Sequence, residues 1–140
     1  MSKFAGLGMA VDAPARVTLL HPVTRQPLRN AETGDPAWID VISSASQIGR
    51  AHDRAVTDKQ IKMRGARLRA EDIEADFTEK LAKLTRGWSL VTLTGEPMDV
   101  EYTPANAREL YALPELAWLR DQVGEFVADL GNFPTAVSTS

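Results

Sequence analysis

The strongest hydrophobic pattern lies in the last third of the chain. Leu116, Leu119, Val123, Phe126 and Leu130 recur at steps of three and four, which places them on one face of a helix predicted over residues 114–130. Trp118 and Val127 widen the stripe, while Arg120, Asp121, Glu125 and Asp129 fall on the side expected to stay wet. Pro114 suits a first helical turn and Gly131 a stop. Burying one large apolar side chain gains roughly 1.5–3 kcal/mol, so this stripe decides where the helix sits. The segment before it offers a cover: Thr103 as N-cap, Pro104 behind it, and a small apolar face of Ala107, Leu110 and Tyr111. Leu113-Pro114 turns the chain between the two, predicting an antiparallel αα-hairpin.

A second clear stripe, Ile73, Phe77, Leu81 and Leu84, predicts a helix over 71–86, acidic at its start, basic at its end and stopped by Gly87. Upstream, Ser43, Ser44 and Ser46 offer N-caps for a helix running to about Arg64, with Gly65 as its end. Its apolar residues, Ile48, Ala51, Ala55, Ile61 and Met63, form no coherent face. Two short β-branched runs, 16–20 and 38–42, predict a hairpin across a turn-rich loop. In the second run Trp38, Asp40 and Ile42 share one side and Ile39 and Val41 the other. Residues 88–102 read as extended, with a turn at Thr94-Gly95-Glu96-Pro97. The expected fold is α+β and predominantly α-helical: an N-terminal β-hairpin packed on a small helical bundle that ends in the αα-hairpin. A flexible arm (1–14) precedes a single domain (15–133), which divides into the hairpin (15–43) and a mainly helical part (44–133), and a flexible tail (134–140) follows.

Composition changes this picture little. The 140 residues are 44% hydrophobic and 25% charged, ordinary for one globular domain. With no cysteine, disulfides and thiolate metal sites are excluded. No apolar run approaches the about eighteen residues of a membrane span, and residues 1–11 lack the core of a signal peptide, so no membrane association and a cytoplasmic location are expected. Charge is more informative. Residues 50–69 carry seven basic and two acidic groups, whereas 70–85 sum to −3 and 86–140 to −5, within a chain of net −3. Such a division implies electrostatic contact within the fold, with a partner, or between identical subunits.

Catalytic chemistry finds no footing. His21 precedes proline in a turn, His52 stands alone, and no phosphate-binding loop, nucleophile elbow or dinucleotide fingerprint occurs. The carboxylates Glu71, Asp72, Glu74 and Asp76 suit a helix N-terminus better than acid–base catalysis or calcium. No enzyme activity, cofactor or metal is therefore expected. The basic run of Arg50, Arg54, Lys59, Lys62, Arg64, Arg67 and Arg69 could meet phosphates, but Asp53 and Asp58 interrupt it and no aromatic is interleaved. Nucleic-acid binding is thus the weaker reading, and pairing with the acidic helix beside it the simpler one.

The order and spacing of several short motifs resemble the tail assembly chaperones of long-tailed, siphovirus-type phages and prophages. They are Gly87-Trp88, Gly95-Glu96-Pro97, Thr103-Pro104 with Asn106-Ala107, and the run from Ala117 through Trp118, Leu119, Arg120, Asp121 and Gln122 to Val123. Phe126 and Asn132-Phe133 extend the likeness, and His21-Pro22-Val23-Thr24 with Pro27-Leu28 resemble the family's hairpin loop, although Arg25-Gln26 stands where a glycine and an acid are expected. The resemblance implies a non-enzymatic factor of the host cytoplasm. It would bind the tape measure protein, keep it soluble until tail tube subunits polymerise around it, and be absent from the mature virion. The major tail tube protein is a second implied contact; self-association is expected only from the division of charge described above. Expected partner-binding residues are Phe77, Leu81, Trp88, Trp118, Val123, Phe126 and Phe133. The competing readings are a minor tail or connector subunit and a nucleic-acid-binding regulator acting through residues 50–69.

Overall fold

The computed structural model describes residues 3–63 and 69–135. In chain order it comprises β1 (Ala15–Thr18), β2 (Trp38–Val41), α1 (Gln47–Lys62), α2 (Ala70–Leu84), β3 (Thr85–Ser89), α3 (Pro104–Ala112) and α4 (Ala117–Ala128). The fold is α+β, and the predicted hairpin is the antiparallel pair β1–β2. β3 adds to the other edge of β2, so β2 is central.

Alternation on β2 follows the sequence for four residues. Ile39 and Val41 are fully buried, while Trp38 and Asp40 turn to the opposite, half-open face. There Arg16, directly across from Asp40, donates to its two carboxylate oxygens at 2.9 and 3.2 Å and lies 3.6 Å from the Trp38 ring centroid. Ile42 departs from the prediction: β2 ends at Val41, the Ile42 N–H donates to the Leu84 carbonyl at 2.9 Å, and its side chain turns inward. The loop between the strands is built from two turns. In one, the His21 Nδ1 accepts from the backbone N–H of Val23 and Thr24; in the other, Asn30 Oδ1 accepts from Glu32 and Thr33.

Several helix ends move. α2 stops at Leu84 rather than Arg86, and Thr85, at φ −78° and ψ 138°, passes straight into β3. Gly87 is therefore a strand residue opposite Asp40, not a helix stop, and Arg86 is the extra residue of a bulge. Pairing with β2 satisfies the backbone that another helical turn would have used. The α2 stripe is only half core. Its buried residues are Thr78, Leu81, Ala82 and Leu84, all in the second half, whereas Ile73 remains 58% and Phe77 39% exposed.

The predicted helix over 114–130 is three pieces: a 3-10 turn at Pro114–Leu116, α4, and a second 3-10 turn at Leu130–Asn132. Asp129, at ψ 107°, leaves the helix and its carboxylate caps Gly131 N–H at 2.9 Å, which leaves Leu130 46% exposed instead of in the stripe. Leu119, Val123 and Val127 form the buried face. Arg120 is not wet: its side chain is 14% exposed, pairs with Glu74 at 2.9 Å, and donates to the Tyr111 carbonyl. α3 begins as predicted, with the Thr103 hydroxyl accepting from Asn106 N–H. It lies chiefly on α2 rather than on α4, because the Tyr111 hydroxyl must find a polar partner and meets Thr85 Oγ1 at 2.7 Å where α2 ends.

α1 begins as expected at Ser46, whose hydroxyl accepts from Gly49 N–H, and the main-chain N–H of Gln47 donates to Asp12. The latter contact, with Ala10 N–H on the Pro134 carbonyl at 2.7 Å and Ser43 N–H on that of Val11 at 3.1 Å, ties down the segment predicted as a loose arm. Pro134 and Thr135 likewise belong to the domain through that contact and a Met9–Thr135 bridge. The predicted stop at Gly65, the bases Arg64 and Arg67, and the tail from 136 onward lie outside the described residues.

Candidate functional site

The residues expected to bind a partner separate by depth. Leu81 and Val123 are fully buried and Phe133 is 5% exposed, so these three serve the core. Phe133 also packs edge-on against Phe126, ring centroids 5.7 Å apart. Phe77 reaches across to α4, where its ring fills the notch left by Gly124; a Cβ there would stand 2.7 Å from Phe77 Cζ. Trp88 and Trp118 are half-buried and line a shared surface groove.

That groove has three walls. One is the extended chain after β3, contributing Leu90, Leu93, Met98 and Val100; the second is α3 with Leu110 and Leu113; the third is Leu116 and Trp118. It consists of two adjoining hollows of about 240 and 270 Å³ that share Leu90, Met98, Leu110 and Leu116. Its rim is apolar yet open, with Leu93, Met98, Val100 and Leu113 between 37 and 50% exposed. Large apolar side chains left together at a surface mark an interaction site more often than chance placement does.

The extended wall is fixed in place. Trp88 Nε1–H donates to the Val100 carbonyl at 2.8 Å, Met98 N–H to that of Leu90 at 3.0 Å, and Tyr102 O–H to that of Thr85 at 2.7 Å. Trp88 and Tyr102 meet edge-on at 5.2 Å. At the far end of the wall Gly95 turns at φ +91° against the hairpin loop: Ala31 N–H donates to its carbonyl, and a side chain on Gly95 would meet the Arg29 carbonyl at 2.8 Å.

Around the groove the charge is acidic. Glu109 lines it; Asp99, Glu101 and Glu115 are chain neighbours of lining residues; all four are exposed and form no ion pair among the described residues. Arg108 is held by Glu79 at 3.9 Å. A separate hollow, of about 370 Å³, lies between α1 and α2 and is lined by His52, Val56, Ile73 and Phe77, with Asp53, Asp76 and Lys80 as its polar border. Its charges are already matched: Lys80 pairs with Asp53 at 3.0 Å and Lys59 with Asp76 at 3.8 Å. The predicted pairing between basic and acidic helices is thus present but mixed in sense. Glu74 and Glu79 of α2 are met instead by Arg120 and Arg108 from the C-terminal helices.

Among the described residues no cluster of three or more histidines and carboxylates could hold a metal ion. No described helix is long and apolar enough to cross a membrane. The Tyr111 hydroxyl, pushed well above its ordinary range by burial, is bonded to Thr85, whose hydroxyl also lies 2.8 Å from the Leu81 carbonyl. It is a structural pair with no opening toward a substrate.

Of the residues singled out in the sequence, Trp88 and Trp118 line this groove; Leu93, Met98, Val100 and Leu113 were not among them. Their signal was present: residues 88–102 hold more apolar side chains than one short strand can bury. No protein-family model, curated protein or solved structure matches this chain.

Proposed function

We propose that this chain is a tail assembly chaperone that takes apolar helical segments of a tape measure protein into the groove between the extended 90–100 segment and the helices α3 and α4. The observation that supports this most is the open apolar groove itself, with Trp88 and Trp118 in its lining. A tape measure protein is a long helical chain whose apolar stripes aggregate unless covered, and laying such a stripe into a groove is a general way of covering it. Leu81, Val123 and Phe133 act from within by holding α2 and α4 in place.

The dimensions suit reversible cover. Each hollow accepts about one large side chain, contributing roughly 1.5–3 kcal/mol. Association of two free molecules costs at least about 4 kcal/mol. One groove on one segment is therefore weak, and retention comes from many copies along a long chain. Weak individual contacts allow arriving tube subunits to displace the chaperone one copy at a time.

Co-expression with the tape measure protein of the same genome, followed by gentle affinity capture, tests this reading. Recovery of the pair is expected. Failure to co-purify, or presence of the chain in purified virions by mass spectrometry, would remove the function.

A further inference from the structure

Resting on the groove as the chaperone surface, we infer that its occupant is a cationic amphipathic helix, one whose apolar stripe is flanked by lysine or arginine. The apolar floor selects a greasy stripe but not the charge beside it. The surroundings do. Glu109, Asp99, Glu101 and Glu115 are exposed beside the lining and have no ion-pair partner among the described residues. Of the bases nearest in sequence, Arg108 is paired with Glu79, and Arg86, which keeps its charge, is turned to the Thr85 carbonyl and does not line the groove. An acidic flank would bring like charges together at this mouth; a basic flank supplies the counter-charge. The α1–α2 hollow offers no such selection, because its border carries both signs already paired.

The backbone argues for a helix rather than a strand. Adding a strand needs free backbone groups, and the groove offers apolar side chains instead: beside it the Thr85 carbonyl accepts from Tyr102 O–H, the Leu90 carbonyl from Met98 N–H, and the Trp88 indole holds the extended segment by the Val100 carbonyl. The occupant must therefore bind through side chains, with its own backbone satisfied internally, as a helix does. Two hollows side by side fit two apolar residues of one face.

The test uses two synthetic helices of about five turns with the same leucine stripe, one carrying lysine and the other glutamate on its polar face, titrated by fluorescence anisotropy against the full chain. The lysine peptide is expected to bind about tenfold tighter at low salt, with the difference collapsing near 1 M salt. Glu109→Lys with Glu115→Lys should erase most of that preference. Leu113→Lys, on the exposed rim, should weaken the lysine peptide about tenfold, whereas Val23→Lys, which adds the same charge in the hairpin loop, should not.

Equal affinity for the two peptides, or weakening by Val23→Lys as large as by Leu113→Lys, overturns the inference. So does binding of neither peptide by protein shown folded by circular dichroism. A dimer of the free protein that Leu113→Lys dissociates would assign the groove to a second copy and also overturn it. Capture of the tape measure protein reports the parent reading separately. Capture without charge preference sinks the inference alone, and charge preference without capture sinks the chaperone reading alone.

Discussion

Arg25 sits at φ +61°, the left-handed backbone region that suits glycine, in the turn closed by His21. The sequence reading had marked this spot, since a glycine was expected at the Arg25-Gln26 pair. The side chain there is exposed, and the turn is closed by backbone groups and the His21 ring. Arg25→Gly should therefore stabilise the protein, by about 1 kcal/mol once the added freedom of the unfolded glycine is subtracted, as read by urea denaturation. Tyr111 is the opposite kind of residue, legible as one face of a short helix but not as half of a buried hydroxyl pair with Thr85, because its partner lies on a strand predicted to be helix. Burial raises the Tyr111 pKa, so the folded state holds its proton after the unfolded chain releases one. Stability from this group is intact below about pH 10 and falls above it by about 1.4 kcal/mol per unit. Tyr111→Phe should cost about 1 kcal/mol at pH 7 and remove that fall. The two denaturation curves should converge about one unit above the tyrosine range.

At the scale of elements, helix starts were easier to read than helix ends. Ser46 and Thr103 cap where expected because capping is local chemistry. The end of α2 is set by a distant group, since pairing with β2 draws Thr85 out of the helix; at the end of α4 the Asp129 carboxylate closes a turn on Gly131 that apolar spacing does not reveal. Half of the α2 stripe stays at the surface for a related reason, since amphipathic spacing says which residues share a face but not how far along a helix its cover extends. Where Phe77 meets α4 could not be read, because that contact depends on Gly124 offering a notch to its ring. Gly124→Ala should push that ring outward. The helix itself gains about 1 kcal/mol from the exchange, while overpacking costs about 1–3 kcal/mol. A net loss of thermal stability is expected, with Phe77→Leu restoring part of it by removing the ring atom in conflict. Additive effects of the two substitutions would show that the notch does not couple them.

For the molecule as a whole, the division of charge was plain in the sequence and its destinations were not. The expected match of basic α1 with acidic α2 occurs at Lys59–Asp76, yet the shorter Lys80–Asp53 pair runs the other way. Arg108 and Arg120 reach α2 from the C-terminal helices, and the acidic groups beside the groove are left without ion-pair partners among the described residues. The same holds for apolar surface. The hydrophobic content was ordinary for one domain, and only folding shows that part of it is gathered along one open groove. The central claim is that this groove lends cover to another chain. Its most direct test is the partition of the tape measure protein between soluble and pelleted fractions after co-expression, with the unaltered chain and with Leu113→Lys. The account predicts a soluble tape measure protein with the former and a largely pelleted one with the latter, both forms of the chain being equally folded. A tape measure protein that pellets with both forms, or stays soluble with both, would contradict it.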